Sequence, residues 1–332
     1  MKVLITGANG FLGRRLVASA MQAGLSVRAA VRPATDVAQL DWHGVEIVRA
    51  DLRVKGHLPE LVRGCDAVIH SAASVAGDLY DRLSGTVVAT ENLIAAMEKE
   101  GVQRMVLVSS YSVYDYGKLP PFGVLDENGP LRDIGTSIDS YAQAKIVQER
   151  VVRAAMQRGI QGTIVRPGVL FGPGNSWSSQ LGIQVNERLW LRVGTFASLP
   201  LSYVDNCADA LVACVQNSNT IGKTYNVLDD ELVTQRTYTK RLAERQPRKP
   251  RIVPVPWLLL RGVAELGRLV NNTWFQGKAK IPQLLTVEGQ DARGRPLRHR
   301  GDRLRKDTGW TPRYSLDEAL RRTVAEEQGR RP

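Results

Sequence analysis

Short apolar runs alternate with helix-like segments along the first half of the 332-residue chain. The first helix-like segment runs through Leu12, Leu16 and Ala20 to Gly24, and two more cover about 86–99 and 140–158. The strand-like runs are "KVLITG" (2–7), "SVRAAVR" (26–32), "VEIVRADL" (45–52), "DAVIHSAA" (66–73), "RMVLVSS" (104–110) and "GTIVRPG" (162–168). Short buried strands that alternate with helices predict a parallel sheet covered on both faces. The pattern therefore predicts an α/β fold.

The pattern loosens after residue 168. A polar stretch is followed by a strand, turn and helix at 199–215, another strand at 223–229 and a last helix near 315–327. We predict a doubly wound parallel sheet of the Rossmann type, with a smaller, discontinuous α+β domain. The dinucleotide-binding domain would comprise 1–167 and 199–229, and the substrate domain 168–198 and 230–332.

Three glycines, Gly7, Gly10 and Gly13, lie between the first strand and the first helix. A helix N-terminus presents backbone N–H groups and the positive end of its dipole, which suits a pyrophosphate. Phe11 and Leu12 belong to the same turn and are included in the predicted cofactor site. The spacing G-x-x-G-x-x-G differs from G-x-G-x-x-G, so the match rests on mechanism. The alternative is that the glycines only allow the chain to turn.

The ends of the following strands indicate which dinucleotide would bind. Strand two ends at Arg32 without an acid, and an arginine can pair with a ribose 2′-phosphate where Asp or Glu would repel it. NADP(H) is therefore favoured and NAD(H) is the alternative. A second alternative is that Arg32 is only a solvated residue at the end of the strand. The remaining predicted cofactor contacts are Asp51, as acceptor for the adenine amino group, and Leu52, Ala72, Ala73, Pro167 and Val169.

The segment "DSYAQAKIVQE" (139–149) carries the candidate catalytic pair. Tyr141 and Lys145 are four residues apart in a predicted helix and so lie on one face. A nearby cation favours the phenolate and lowers a tyrosine pKa, which would let Tyr141 exchange a proton with a carbonyl or alcohol oxygen. Ser110, at the end of the fifth strand, is predicted to bond that oxygen. The alternative is a surface Tyr–Lys pair and hydroxyls that cap a turn.

Charge and cysteine content narrow the class of protein. The net charge is +12, and 23 of the 45 Lys and Arg residues but only 11 of the 33 Asp and Glu residues lie in 231–332. We interpret this basic region as a solvated surface, without a nucleic-acid partner, because it lacks interleaved aromatic residues. Three cysteines without metal-ligand spacing predict no metal site and a reduced, cytoplasmic protein.

The segment "PVPWLLLRGVAELGRLV" (254–270) has apolar residues at helical spacing with Arg261 and Arg268 between them. We expect it to pack as an ordinary amphipathic helix. Peripheral contact with a membrane surface and coverage of a substrate pocket are the alternatives. No apolar run is long enough to span a bilayer.

Taken together, the motifs resemble the extended short-chain dehydrogenase/reductase family, which includes NAD(P)-dependent epimerase/dehydratases. The resemblance covers nearly the whole chain and implies Ser110, Tyr141 and Lys145 as the catalytic triad, with Tyr141 and Lys145 also at the cofactor. It also implies a homodimer through helices near 86–99 and 140–158. The motifs are the glycine loop, Asp51-Leu52, "HSAA", "SSYSVY", "YAQAK", "RPGVLFGPG", "YVDNCADAL" and "DTGWTPRYSLDEAL".

Three departures from the family pattern bear on the substrate. The family motif N-x-x-G-T-x-N is replaced by "TVVATEN" (86–92). The asparagine of R-x-x-N, a sugar-nucleotide diphosphate ligand in epimerases, is replaced by Val169, and the second diphosphate ligand, an arginine, falls near Leu199. These losses favour reductase branches that act on apolar ketones or alcohols. A nucleotide-sugar epimerase or dehydratase with tightly held NAD and a non-catalytic NADP-sensing protein are the alternatives.

The substrate itself is not specified by these motifs. We predict a small molecule, an apolar ketone or alcohol or a sugar derivative, and five residues that would contact it. These predicted substrate-binding residues are Ser112, Tyr114, Asn175, Trp177 and Tyr203.

Overall fold

A computed structural model describes residues 1–38, 42–134, 139–178, 180–194, 197–274, 276 and 286–329, with the side chain of residue 293 left out. The strands are β1 (Lys2–Thr6), β2 (Ser26–Val31), β3 (Glu46–Arg49), β4 (Ala67–His70), β5 (Arg104–Val108), β6 (Val124–Leu125), β7 (Gln161–Pro167), β8 (Val169–Phe171), β9 (Gly182–Asn186), β10 (Leu189–Val193), β11 (Leu201–Tyr203), β12 (Thr224–Val227), β13 (Arg251–Val255) and β14 (Arg298–His299).

Helices cover both faces of the main sheet and the ends of the smaller sheets. A π-helical segment, Leu83–Val88, joins two of these helices, and short 3-10 turns lie at Tyr111–Val113, Tyr116–Lys118 and Ser218–Thr220. The α-helices are α1 (Phe11–Gln22), α2 (Leu58–Val62), α3 (Leu79–Arg82), α4 (Ala89–Glu100), α5 (Ser140–Gln157), α6 (Val204–Gln216), α7 (Gln235–Glu244), α8 (Trp257–Trp274), α9 (Val287–Gly294), α10 (Arg303–Thr308) and α11 (Leu316–Glu327).

Seven parallel strands form the main sheet in the order β12-β7-β5-β4-β1-β2-β3. Its central strands are apolar on both faces, as a sheet buried under helices on each side requires. The strand order reverses between β1 and β4, and a crevice opens there at the carboxyl ends of the strands. The predicted Rossmann-type sheet is confirmed.

Two apolar clusters, one on each face of the sheet, form most of the core. One joins α1 and α6 to the strands and continues to Trp190, Tyr238 and Leu320 in the second half of the chain. The other packs α2, α4 and part of α5 against the opposite face. The C-terminal helix α11 is therefore anchored in the core on one face of the main sheet.

The second half of the chain builds three small sheets. β13, β10 and β9 form one, β11 pairs with β8, and β14 pairs with β6. The β8–β11 pairing joins Val169 to Leu201 and so crosses the predicted boundaries at 167/168 and 198/199. The proposed division into two domains stays a prediction.

Candidate active site

The glycine loop brings the ends of β1 and β4 into contact. Gly7 adopts a φ of +69°, and a Cβ there would lie 2.8 Å from the backbone nitrogen of Ala72. A Cβ at Gly13 would overlap the Gly7 carbonyl oxygen. Glycine is therefore required at both positions, for the left-handed turn and for the close approach of helix to loop.

The first turn of α1 leaves backbone donors available at this crevice. Gly10 is the N-cap and has no side chain to satisfy them. The first intrahelical bond is donated by the Arg14 N–H to the Gly10 carbonyl oxygen, at 3.1 Å. The N–H groups of Phe11, Leu12 and Gly13 precede it, and helix N-termini of this kind bind phosphate. The loop fits the pyrophosphate of a dinucleotide.

Arg32 and Asp51 lie beyond the ends of β2 and β3, at the same edge of the sheet. Arg32 is exposed. Asp51 accepts hydrogen bonds from Arg53 at 2.6–3.1 Å, and these bonds, with a smaller effect of the Arg32 charge, lower the pKa of Asp51. The carboxylate is thus anionic and hydrogen-bonded to Arg53. Its contact with adenine stays a prediction.

The other predicted cofactor residues lie at this edge as well. Asn92 donates to the carbonyl oxygens of Leu52 and Arg53 at 3.0 and 3.1 Å, which fixes the turn after β3. Ala72 and Ala73 follow β4, Pro167 ends β7 and Val169 starts β8. Leu52 and Pro167 are buried, whereas the other three are partly exposed.

Ser110 and Tyr141 meet at the carboxyl end of β5. Asp139 caps α5 by accepting from the Tyr141 N–H at 3.0 Å, which places Tyr141 in the first turn of the helix. The Ser110 side chain lies close enough to Tyr141 to lower the pKa of the tyrosine. Burial raises the pKa of Tyr141, Ser110 and the charge of Arg82 lower it, and Asp139 raises it, so that the pKa lies above its usual value.

Lys145 is fully buried one turn further along α5. Its ammonium donates to the Val108 carbonyl oxygen at 2.8 Å and to Gln148 Oε1 at 2.9 Å. Burial lowers the pKa of Lys145 to about 7, partly opposed by Glu149. Arg82 is a cation whose charge lowers the pKa of Tyr141, and the expected effect of Lys145 stays a prediction.

A buried chain of hydrogen bonds that sequence reasoning missed leads from Lys145 to the glycine loop. Gln148 donates to Thr90 Oγ1 at 2.8 Å, and the two ring nitrogens of His70 lie 2.9 Å from Thr90 Oγ1 and 2.7 Å from Thr6 Oγ1. Burial and the charge of Lys145 lower the pKa of His70 to about 3, so the ring is neutral. Gln148 lies three residues after Lys145, and this helical spacing is the one feature of the sequence that indicates their contact.

The buried state of Lys145 predicts a pH dependence of folding. Between pH 7 and about 10 the unfolded chain carries this proton and the folded chain does not, so the free energy of unfolding rises with pH. We expect the wild-type value minus that of Lys145→Met to increase by about 2 kcal/mol from pH 7 to pH 9 in urea titrations. An identical difference at the two pH values would contradict the assignment.

A second buried network lies directly behind Ser110. Arg166 donates through Nε and Nη2 to the two carboxylate oxygens of Glu149, at 2.8 and 2.6 Å, and Ser109 Oγ donates to Glu149 at 2.6 Å. Tyr114 is fully buried beside it and donates to Asn226 Oδ1 at 2.7 Å while accepting from Arg166 at 2.9 Å. The hydroxyl of Tyr114 is thus held in the core, and its predicted substrate contact stays a prediction.

Two further predicted substrate residues are held in structural contacts. Tyr203 is 1% exposed and packs its ring on Phe171 and Tyr314. Asn175 donates to the Leu170 carbonyl oxygen at 2.9 Å. The ring of Tyr203 lies in the core and the Asn175 amide is bonded within its own turn. Their substrate contacts stay predictions.

Trp177 and Ser112 differ in what their polar atoms contact. Trp177 donates to the Gly182 carbonyl oxygen at 3.2 Å and packs against Trp190, with ring centroids 4.8 Å apart. The indole therefore supports the β9–β10 hairpin. Ser112, two residues after Ser110, has a buried hydroxyl without a hydrogen-bond partner among the residues that the structure describes. Its predicted contact with a substrate stays a prediction.

A groove of about 600 Å³ beside the β9–β10 hairpin is lined by none of the predicted catalytic, cofactor-binding or substrate-binding residues. Glu187, Trp190, Arg248 and Glu327 are among the residues that line it. Its wall is formed by β9, β10 and α11 instead of the carboxyl ends of the parallel strands. The glycine crevice with Ser110, Tyr141 and Lys145 is the arrangement that can do acid–base chemistry beside a dinucleotide.

Comparison with known proteins agrees with this geometry. The chain is 27% identical over 328 residues to a 4-hydroxy-2-methyl-3-oxo-4-farnesyl-3,4-dihydroquinoline-1-oxide ketoreductase of Stigmatella aurantiaca, covering 96% of this chain and 95% of the relative. It is 28% identical over 339 residues to a 2-alkyl-3-oxoalkanoate reductase of Stenotrophomonas maltophilia, covering 98% and 99%.

A solved structure shows the same fold. The UDP-glucose 4-epimerase of Thermus thermophilus in complex with NAD superposes with a TM-score of 0.73 at 22% identity, over 99% of both chains. The model of the NAD dependent epimerase/dehydratase family matches residues 3–227, which include the glycine loop and the Ser110, Tyr141 and Lys145 positions. The chain belongs to the NAD dependent epimerase/dehydratase family.

Proposed function

We propose that the protein is an NADP(H)-dependent oxidoreductase that reduces a ketone or oxidises the corresponding secondary alcohol. The observation that carries the proposal is the approach of Ser110, just after β5, to Tyr141 in the first turn of α5. It brings two hydroxyls together next to a crevice whose glycine loop fits a pyrophosphate. The two reductases that match along nearly their whole length support the same class of reaction.

The proposed chemistry is a proton transfer coupled to hydride transfer. A bound nicotinamide dinucleotide would supply or accept the hydride at the carbon of the substrate. Tyr141 donates the proton of its hydroxyl to the carbonyl oxygen during reduction and takes it back during oxidation. Ser110 holds that oxygen by a hydrogen bond. One hydride and one proton thus convert a ketone into a secondary alcohol.

Lys145 is proposed to act on the ribose of the cofactor. It is held by Val108 and Gln148 on the face of α5 that also carries Tyr141, so its position is fixed. A pKa of about 7 lets its charge change near neutral pH. The buried chain through Thr90 and His70 gives Gln148, a partner of Lys145, a hydrogen-bond partner of its own. A buried ammonium requires such a hydrogen-bonded environment.

The substrate proposed here carries no nucleoside diphosphate. Val169 and the buried Leu199 have no side-chain hydrogen-bond donor at the two positions where nucleotide-sugar enzymes of the family carry Asn and Arg. The guanidinium of Arg166 is taken up by Glu149 and Tyr114. A diphosphate would lack the paired donors that such a charge needs. The unpartnered Ser112 hydroxyl is proposed as a polar contact for a ketone or alcohol substrate.

Arg32 is proposed as the residue that selects NADP over NAD. We expect Arg32→Asp to lower the ratio of NADP to NAD affinity by at least about tenfold, because a charge-assisted bond to the 2′-phosphate becomes a repulsion. Equilibrium titration with both dinucleotides measures this ratio. Lys99→Asp, an equal change of charge on the exposed end of α4, should leave it unaltered. An unchanged ratio in Arg32→Asp would refute the role.

The function as a whole is tested by the cofactor and then by turnover. The purified protein is denatured and any released dinucleotide is identified by mass spectrometry, after which NADPH oxidation is followed with a panel of ketones. Exchangeable NADP(H) and ketone-dependent oxidation are expected. Stoichiometric retained NAD without net NADPH oxidation would instead indicate the epimerase or dehydratase alternative, and binding without turnover the sensing alternative. The family homodimer through α4 and α5 stays a prediction.

A further inference from the structure

Helix α8 turns a continuous apolar face away from the protein. Seven of the eighteen exposed large hydrophobic side chains in the described part of the chain lie on this one helix, with exposed fractions up to 73% at Leu258 and 82% at Trp274. At 100° per residue they occupy an arc of about 160°, broken only by Gly262 and Thr273. This outer face of α8 consists of Leu258, Leu259, Val263, Leu266, Leu269, Val270 and Trp274.

The polar side of the same helix carries its contacts with the protein. Arg261 Nε is 3.0 Å from a carboxylate oxygen of Asp291, which lies in α9 and is nearly buried, and Glu265 pairs with Arg261 and Arg268. Ala264 is the residue of α8 that is buried. The orientation is inverted relative to an ordinary amphipathic surface helix. Our expectation of ordinary packing is therefore wrong.

Ion pairs and ring contacts hold the helix in this orientation. The Trp257 indole N–H donates to the Gln290 carbonyl oxygen at 2.7 Å, and its ring lies so close to Gly294 that a Cβ there would overlap it. Rotating α8 to bury its leucines would break the Arg261–Asp291 bond. An exposed apolar patch of this size, rimmed by polar residues, marks an interaction site.

The surrounding charge indicates which partner would cover this face. Arg248, Lys249 and Arg251 are exposed just before α8 in the chain. Residues 231–332 hold more than twice as many Lys and Arg as Asp and Glu. A second copy of this chain would bring like charges together, whereas an anionic lipid surface satisfies both the basic groups and the apolar arc.

We propose that the outer face of α8 is a peripheral membrane-binding surface that lies in the interface of an anionic bilayer. The helix would rest parallel to the surface, with its leucines and Trp274 among the acyl chains and its polar side on the protein. Within the part of the chain that the structure covers, no helix is long and apolar enough to cross a membrane. The proposal is independent of the proposed reaction.

Vesicle binding by the full chain tests the proposal. The wild type should co-sediment with vesicles of phosphatidylcholine and phosphatidylglycerol (about 7:3) and far less with phosphatidylcholine alone, and salt should weaken the binding. Leu259→Glu/Leu266→Glu should lower the partition coefficient more than about tenfold, because two charges enter the apolar arc. The matched control Met21→Glu/Val54→Glu changes two exposed apolar residues elsewhere and should bind as the wild type does.

Tryptophan quenching by lipids with brominated acyl chains locates the inserted residue. Quenching in the wild type should be mostly lost in Trp274→Phe, which keeps an apolar ring and so still binds. Absence of binding to anionic vesicles, equal binding by the double glutamate variant, or unchanged quenching in Trp274→Phe would each overturn the proposal. So would light scattering that shows a wild-type dimer and a monomeric Leu259→Glu/Leu266→Glu variant, because a second copy would then cover the face.

Discussion

Replacing Tyr141 with Phe is expected to lower kcat by about 10²- to 10⁴-fold while leaving the dissociation constant of NADP nearly unchanged. The substitution removes one oxygen from a side chain that lies beside Ser110, and it preserves the ring at the start of α5. The loss falls on the chemical step because the hydroxyl supplies the proton of the reaction. Steady-state kinetics with the ketone identified in the screen, together with cofactor titration, separate the two effects.

A matched control comes from another buried tyrosine. Tyr225 lies in β12 and donates its hydroxyl to Asp307 at 2.7 Å, outside the proposed site. Tyr225→Phe should therefore keep kcat within about threefold of the wild type. Full activity in Tyr141→Phe would remove the acid–base role. Equal losses of kcat and cofactor affinity would instead indicate that the ring of Tyr141 serves only to shape the crevice.

The spacing of Tyr141 from Lys145 predicted the position of the two residues and not the hydrogen bonds of the ammonium group. Helical periodicity correctly placed both residues in α5, because local hydrogen bonding determines the helix. It could not show where the ammonium points, since Val108 and Gln148 take up its hydrogen bonds. A cation that lowers the pKa of Tyr141 is Arg82, which is 59 residues away in the chain and approaches through Asp139.

The sheet and the glycine loop were predictable because their signals are local. A run such as "AVIH" is buried on both faces, and the close packing of Gly13 against the carbonyl of Gly7 needs residues only six positions apart. The β10–β13 pairing was not predictable, because it joins segments about 60 residues apart whose alternation is weak. The burial of Tyr114 and Tyr203 was not predictable for a similar reason: the partners that bury them lie far along the chain.

The orientation of α8 is a further limit of pattern reasoning. The sequence "WLLLRGVAELGRLV" shows that the helix is amphipathic, with one apolar and one polar face. The pattern does not show which of the two faces packs against the protein. That choice follows from Asp291, which offers Arg261 a nearly buried carboxylate on α9. An ion pair between distant segments thus decides which face the protein covers.

Replacing Arg166 with Leu is expected to destabilise the protein by about 3–5 kcal/mol, the largest stability effect that the structure predicts. Both Arg166 and Glu149 are 2% exposed, and the substitution leaves the carboxylate buried without its bidentate partner. Burial alone would raise the pKa of Glu149, but the bonds and charge of Arg166 outweigh it and lower the pKa. The free energy of unfolding from urea titration at pH 7 measures the loss.

The same substitution at a surface pair provides the control. Arg321 pairs with Glu318 on α11 with much of both side chains in solvent, so Arg321→Leu should cost at most about 1 kcal/mol. Glu149→Leu/Arg166→Leu should recover part of the loss of Arg166→Leu, because it removes a buried carboxylate left with only Ser109 and the half-exposed Arg153, at 3.5 Å, as partners. Equal costs for Arg166→Leu and Arg321→Leu would contradict this account.

The Arg166 variant also separates support of the site from its chemistry. Glu149 accepts from Ser109, the neighbour of Ser110, so loss of Arg166 loosens the end of β5 from which Ser110 projects. We expect Arg166→Leu, assayed where it is still folded, to lose activity by a smaller factor than Tyr141→Phe, because the proton donor is intact. A loss in kcat as large as that of Tyr141→Phe, in fully folded protein, would place Arg166 in the reaction itself instead of behind it.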